Sequence, residues 1–154
     1  MSKSAEAVRV IAENRKARHE YDILDRLEAG LVLVGSEVKS LRGGKGNIAE
    51  SFVKFVRDEA FLVDAHIPKY PQAHQFNHEP RRARKLLMKR AELDKLAEKV
   101  QQKGLTIVPL KLFFKGAWVK LELGLARGRK LHDKRHALKA RQDKREMDRA
   151  LKQR

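Results

Sequence analysis

The stretch from Leu105 to Leu125 constrains this chain more than any other. Leu110, Leu112 and Phe114 alternate before Lys115-Gly116, and Val119, Leu121 and Leu123 alternate after it. A period of two puts apolar side chains on one face of a pleated ribbon. The Gly at the centre supplies the turn of a hairpin. Ser51 to Ile67 repeats the pattern. Phe52, Val53, Phe55 and Val56 precede a turn expected at Asp58-Glu59, and Phe61, Leu62 and Val63 follow it. Tyr21, Ile23 and Leu27 alternate more loosely, as a strand. Leu31 to Val34 is a short apolar run between Gly30 and Gly35, the mark of a buried strand. About six strand-like segments predict a mainly β fold with α, a small closed antiparallel barrel, because closure removes exposed edges.

Helical signals are fewer. Ser36 is placed to cap a short helix through Leu41, ended by Gly43 and Gly44. Pro80 suits a helix start. Leu86, Leu93, Leu96 and Val100 then recur at helical spacing, with a break possible near Arg90 to Glu92 and a stop at Gly104. Residues 68–79 carry Pro68 and Pro71 without a period and read as a loop. Residues 1–14 are weakly patterned and read as a frayed lead-in. The chain divides on this reading into a lead-in (1–14), a folded body (15–126) and a basic tail (127–154).

The tail holds 12 Lys and Arg against 4 Asp and Glu, which leaves +8, half of the formal +16 of the chain. Its large apolar residues are Leu131, Leu138, Met147 and Leu151. Leu131 and Leu138 share one helical face, and Met147 and Leu151 fall nearly opposite, so no continuous stripe can dock on the body. Propensity for helix is good nonetheless. The expectation is a tail that is disordered alone and helical against a polyanion.

Composition narrows the function classes. A hydrophobic fraction of 42% supports a core, and Lys and Arg outnumber Asp and Glu 36 to 20. Nucleic acid is the expected partner of that excess. A membrane is not expected, because no apolar run nears a span of roughly 20 residues and no stretch has an aromatic-rich interfacial face. There is no cysteine, which excludes disulfides and thiolate zinc sites. The absence of a secretory signal in 1–14 points to the cytoplasm.

Catalytic constellations are weak. His66, His74 and His78 have spacings that zinc accepts on a helix, but their segment is broken by proline and offers only Glu79 as a carboxylate. Gly43-Gly44-Lys45-Gly46 lacks the Ser or Thr of a phosphate loop. Asp22, Asp25, Glu28 and Glu37 could bind magnesium in a nuclease, yet read better as solvated faces paired with Lys and Arg. No enzyme, metal or cofactor is expected. Arg81, Arg82, Arg84, Lys85, Lys89 and Arg90 either hold phosphate or form a solvated face. Lys120, beside Trp118, either lines an RNA-facing surface or caps a barrel rim. Few aromatics argue against a wide stacking platform and favour recognition of structured RNA by shape and phosphate.

Several segments resemble small protein B, the tmRNA-binding (SsrA-binding) family of bacteria. They are Ala17-Arg18-His19-Glu20-Tyr21, Gly35-Ser36-Glu37-Val38-Lys39-Ser40-Leu41-Arg42, and Asn47, Ile48 and Glu50. Phe76-Asn77-His78-Glu79-Pro80, Arg84-Lys85-Leu86-Leu87, Gly104 to Leu110 and Asp133-Lys134-Arg135 continue the likeness in order. Gly128-Arg129-Lys130 stands where Gly-Lys-Lys is usual, which preserves charge. The resemblance implies an oligonucleotide-binding-type (OB-like) barrel flanked by about three helices. It implies binding of the tRNA-like domain of tmRNA and delivery to stalled ribosomes in trans-translation. RNA-binding roles then fall on Asn14, His19, Tyr21, Glu28, Leu87, Lys120, Gly128, Arg129 and Lys130. His132, Asp133, Lys134 and Arg135 match the ribosome-contacting tail, which would sense an empty mRNA channel beside the rRNA of the decoding centre. The protein is expected to act as a monomer. The alternatives are a general ribosome-associated RNA binder without preference for tmRNA, and a nuclease or RNA-modifying enzyme.

Overall fold

The structure is a computed structural model, and it describes residues 7–102 and 104–128. Tail residues 129–154, including Arg129, Lys130, His132, Asp133, Lys134 and Arg135, lie outside the described residues, as does the expectation of a tail that folds on binding. The elements run β1 (Val8–Glu13), α1 (Arg15–Glu20), β2 (Tyr21–Leu31), α2 (Gly35–Arg42), β3 (Phe52–Val56), β4 (Glu59–Val63), β5 (Arg84–Leu87), α3 (Arg90–Val100), β6 (Leu105–Lys115) and β7 (Trp118–Gly128). Two short 3-10 turns occupy Pro71–Phe76.

Seven strands form one antiparallel sheet in the order β1-β6-β7-β2-β5-β4-β3. This corrects the closed barrel expected from sequence. The sheet is open, with β1 and β3 as its two edges and no ladder joining them among the described residues. Closure was inferred as the way to remove free edges, but the edges are blunted instead. β1 carries a register shift between Val10 and Ala12, and β3 is only five residues long with Lys54 at its middle.

The hairpins follow from their alternation. β6 and β7 pair from Leu105↔Arg127 to Lys115↔Trp118. β3 and β4 pair around a turn at Arg57-Asp58, both with positive φ, one residue earlier than expected. That left-handed pair matches the twist of the flanking strands. Tyr21–Leu31 is one continuous strand, and Val32 and Val34 beyond it are exposed rather than buried.

Two segments differ from their sequence reading. Val8–Glu13, expected within a frayed lead-in, is a strand paired with β6. Its apolar Val8 and Val10 face solvent, so no buried stripe marked it. The long helix expected from Pro80 is instead a turn, the strand β5 and the shorter α3. Leu86 matched the helical spacing by coincidence. It is buried by strand pairing, while Leu93 and Leu96 are buried by α3.

The main core joins Leu41, Ile48, Leu62, Ile67, Leu86, Leu93, Leu96, Leu112, Leu121 and Leu123. A smaller cluster of Ala17, Val108, Leu110 and Ala126 lies under α1. There β6 and β7 are buried on both faces, so their alternation lapses. Leu110 fits because Gly124 faces it. A β-carbon on Gly124 would stand 2.9 Å from Leu110 Cδ1 and 3.2 Å from Ile23 Cγ2. Pro109, which lacks an N–H, sits at a register shift between Pro109 and Lys111.

Candidate nucleic-acid interface

Strand β2 organises the predicted RNA-binding residues into two groups, one at each end. At its C-terminal end, Gly30 pairs with Leu87 of β5 on one side and with Lys120 of β7 on the other. Directly paired residues share a face, so Leu87 and Lys120 flank Gly30 about 10 Å apart, two strand spacings. Gly30 has no side chain to fill the gap. A β-carbon there would meet Leu87 Cβ at 3.4 Å. The result is a groove of about 530 Å³, floored by Gly30 and lined also by Leu33, Val38 and Trp118. Leu87 is 51% and Trp118 72% exposed, high values for large apolar side chains. Neither belongs to the core, and both are available to a ligand.

Lys120 has no hydrogen-bond or ion-pair partner among the described residues. Glu28, two residues before Gly30 and on the same face, is exposed and lies 3.4 Å from Lys115 Nζ. It sits directly opposite Glu122, whose charge is met by Arg26 at 3.2 Å. The face therefore mixes a carboxylate with a cation that is unpaired among the described residues. It can accept hydrogen bonds from a 2′-hydroxyl or a base amine as well as attract phosphate.

At the N-terminal end, Tyr21 pairs with Gly128 at the end of β7. Asn14, Tyr21, Lys16 and Phe52 line a separate hollow of about 150 Å³. Asn14 is buried and works structurally. Its Oδ1 accepts from the Ala17 N–H at 3.2 Å and its Nδ2 donates to Pro109 O at 2.9 Å. It caps α1 and ties that helix to the bulge in β6. His19 is exposed on the last turn of α1. The sequence thus places Glu28, Leu87 and Lys120 together, and Asn14, Tyr21 and Gly128 together, with most of β2 between the groups. Trp118, Leu33 and Val38 complete the groove and were not among the predicted contacts. Trp118 could have been found by its period of two with Lys120.

Most cations of the basic cluster at 81–90 are engaged by groups of the fold itself, while Lys89 is exposed with no side-chain partner among the described residues. Glu37, expected on a solvated face, is fully buried and pairs with Arg84, also fully buried, and with Arg82, at 2.5 Å each. Arg84 further donates to Ala65 O at 2.8 Å and Pro80 O at 3.0 Å. Burial opposes ionisation of Glu37. Hydrogen bonds from Arg82 and the Val34 N–H, with the charge and hydrogen bond of Arg84, outweigh it and hold the carboxyl below the usual carboxylate range. Arg81 donates to Asp64 O, Lys85 pairs with Glu59 and Arg90 with Asp94. The Glu37 side chain also accepts from the Val34 N–H at 2.9 Å, so Glu37, not Ser36, satisfies the start of α2. Together these contacts brace α2 against β5, and with them the wall of the groove.

Ser36 Oγ lies 2.8 Å from His78 Nδ1, and His78 Nε2 lies 2.8 Å from Ile67 O. A carbonyl only accepts, so Nε2 donates to Ile67 O, and Nδ1 exchanges a hydrogen bond with the Ser36 hydroxyl, which can donate or accept. His78 is thus a satisfied interior group. No cluster of three or more potential metal ligands occurs among the described residues. No helix among them is long and apolar enough to cross a membrane.

Comparison with known proteins decides the family. The model of the family described as SmpB protein matches residues 11–153. The chain belongs to the SmpB family. An SsrA-binding protein of Acaryochloris marina is 55% identical over 149 residues, covering 96% of this chain and 97% of the relative. One of Microcystis aeruginosa is 53% identical and covers 99% of both. One of Chloroflexus aurantiacus is 54% identical over 93% of this chain and 90% of its own. A solved SmpB chain, described under "tmRNA-SmpB: a journey to the center of the bacterial ribosome", superposes with a TM-score of 0.64 at 50% identity. It covers 77% of this chain and 83% of its own.

Proposed function

We propose that this SmpB-family chain binds the tRNA-like domain of tmRNA and delivers it to stalled ribosomes for trans-translation. The observation that carries the reading is the groove at Gly30, where Leu87 and Lys120 converge from two different strands with Glu28 beside them. Relatives more than half identical over nearly full length carry the name SsrA-binding protein, and a solved relative is described with tmRNA and the bacterial ribosome. A groove with an apolar wall, a cation unpaired among the described residues and a carboxylate nearby suits a folded RNA with exposed sugar edges better than bare phosphate.

The body acts as a non-enzymatic adaptor, monomeric and cytoplasmic. His19, Tyr21 and Gly128 add contacts at the far end of β2, next to the start of the tail. Arg129 and Lys130 extend that charge. His132, Asp133, Lys134 and Arg135 act on rRNA near the decoding centre and read a vacant mRNA channel. The support for this second role is the +8 of residues 127–154 and the ordered resemblance of the tail motif.

The test is competition binding at physiological salt between a transcript of the tmRNA tRNA-like domain and an ordinary elongator tRNA. The tmRNA fragment binds more tightly by an order of magnitude or more. Equal affinity would reduce the protein to a general RNA binder.

A further inference from the structure

The loop from Tyr70 to Asn77 serves neither the core nor the groove, yet it is built to hold one shape. Asn77 closes it with two hydrogen bonds: its Oδ1 accepts from the Tyr70 N–H at 2.9 Å and its Nδ2 donates to Tyr70 O at 2.8 Å. Those are the bonds that a neighbouring strand would make. His78, next in sequence, is pinned between Ser36 and Ile67. Between these anchors the 3-10 turns meet at His74, with φ 48 and ψ −118, a conformation that residues with a β-carbon seldom adopt. Strain of this kind persists only where the frame imposes it, and such frames gather at binding sites.

The frame presents Phe76, which at 78% is the most exposed large hydrophobic side chain among the described residues. It lines a hollow of about 670 Å³ between the loop and α2, together with Gln72, Gln75, Ser36 and Lys39. Residues 69–78 contain Lys69 and no acidic residue. Lys39 Nζ stands 5.7 Å from the centre of the Tyr70 ring. An aromatic face, two side-chain amides and the Lys39 ammonium match the parts of a nucleotide: ring, base edge and phosphate. A protein partner would favour an aromatic anchor set in a desolvated apolar surround, and Phe76 has amides and an imidazole instead.

The hollow and the groove both draw a wall from α2. On α2, Val38 lines the groove while Gly35, Ser36 and Lys39 line the hollow. We infer that the Tyr70–Asn77 loop is a stacking site for one unpaired nucleotide of the same RNA that occupies the groove at Gly30. This rests on the tmRNA reading of the groove, and Lys120 serves as its independent check.

The experiment measures dissociation constants of the full chain for the tRNA-like domain transcript, with Phe76→Ala, Phe76→Leu, Phe76→Trp and Lys120→Ala. Phe76 is exposed and outside the core, so these variants fold. Phe76→Ala and Phe76→Leu weaken binding about ten-fold, the scale of one base stack, and Phe76→Trp retains it. Affinity preserved in Phe76→Ala, with Lys120→Ala weakened, overturns the stacking site and leaves the groove intact. Affinity preserved in Phe76→Leu but lost in Phe76→Ala shows apolar bulk rather than a stacked ring and also overturns it. If Lys120→Ala binds like the parent while Phe76→Ala is weakened, the groove reading fails and the link between the two sites fails with it.

Discussion

Two basic regions of this molecule look alike in sequence and differ in use. Along 81–90, the cations Arg81, Arg82, Arg84, Lys85 and Arg90 all have a carboxylate or carbonyl within reach. On the face of β7, Lys120 has none among the described residues and stands between an open Gly30 and an exposed Trp118. The density of positive charge is greater in the first region, yet most of it is engaged; there only Lys89, exposed, has no side-chain partner among the described residues. What separates Arg82, Arg84 and Lys85 from Lys120 is that the fold brings a carboxylate to each of the three, through pairings distant in sequence. Glu37 reaches Arg84 across 47 positions.

The comparison is broken most forcefully at Glu37. Replacing it, Glu37→Gln, leaves Arg84 buried and charged without its counter-ion, which costs about 3–5 kcal/mol of stability. A urea melt at neutral pH reads this as a lower midpoint. The same group gives a signature in acid. Its folded carboxyl lies below the ordinary 4.5, so its stabilisation is complete above that value and is lost as pH falls through the folded one. The parent's midpoint drops below about pH 4.5, and Glu37→Gln removes that part of the drop. A variant as stable as the parent at neutral pH would mean the arginines there are not held by their carboxylate.

Lys120→Ala probes the other region. It leaves the fold unchanged and weakens tmRNA-fragment binding roughly five- to thirty-fold, the worth of a charge-assisted contact reduced for partial exposure. Lys85→Ala has the smallest effect. Its pair with Glu59 is exposed on both sides, so stability changes by about 0.5 kcal/mol or less and RNA affinity does not move. A large loss of affinity in Lys85→Ala would extend the interface onto the 81–90 segment and blur the distinction.

The parts legible in sequence were those with local cause. The β6–β7 and β3–β4 hairpins followed from a two-residue period. The short α2 followed from its flanking glycines, although its start is satisfied by Glu37 rather than Ser36. The open sheet was not legible, because edge status depends on which strands pair. Val8 and Val10, which face solvent, gave no sign of β1. β5 hid inside a helical spacing that Leu86 happened to complete. For the site, the resemblance named Leu87 and Lys120. Their meeting across Gly30 is a property of β2 pairing on both sides, which no local pattern encodes. Trp118 shares its period with Lys120 and was within reach of the sequence, whereas Phe76 is conspicuous only once its exposure is known.

Strand β2 touches both groups of proposed contacts, Tyr21 at one end and Glu28 and Gly30 at the other. It is in effect a ruler with coarse graduations. Because successive residues face opposite sides, a one-residue insertion or deletion without a compensating bulge would turn Glu28 and Gly30 to the opposite face. In the regular ladder from Asp25 to Gly30 the span can therefore change only in steps of two residues, about 6.6 Å. One-residue adjustments are confined to the register shift between Ile23 and Asp25, so finer tuning of fit to an RNA gripped at both ends has to come from there, from the RNA or from the loops.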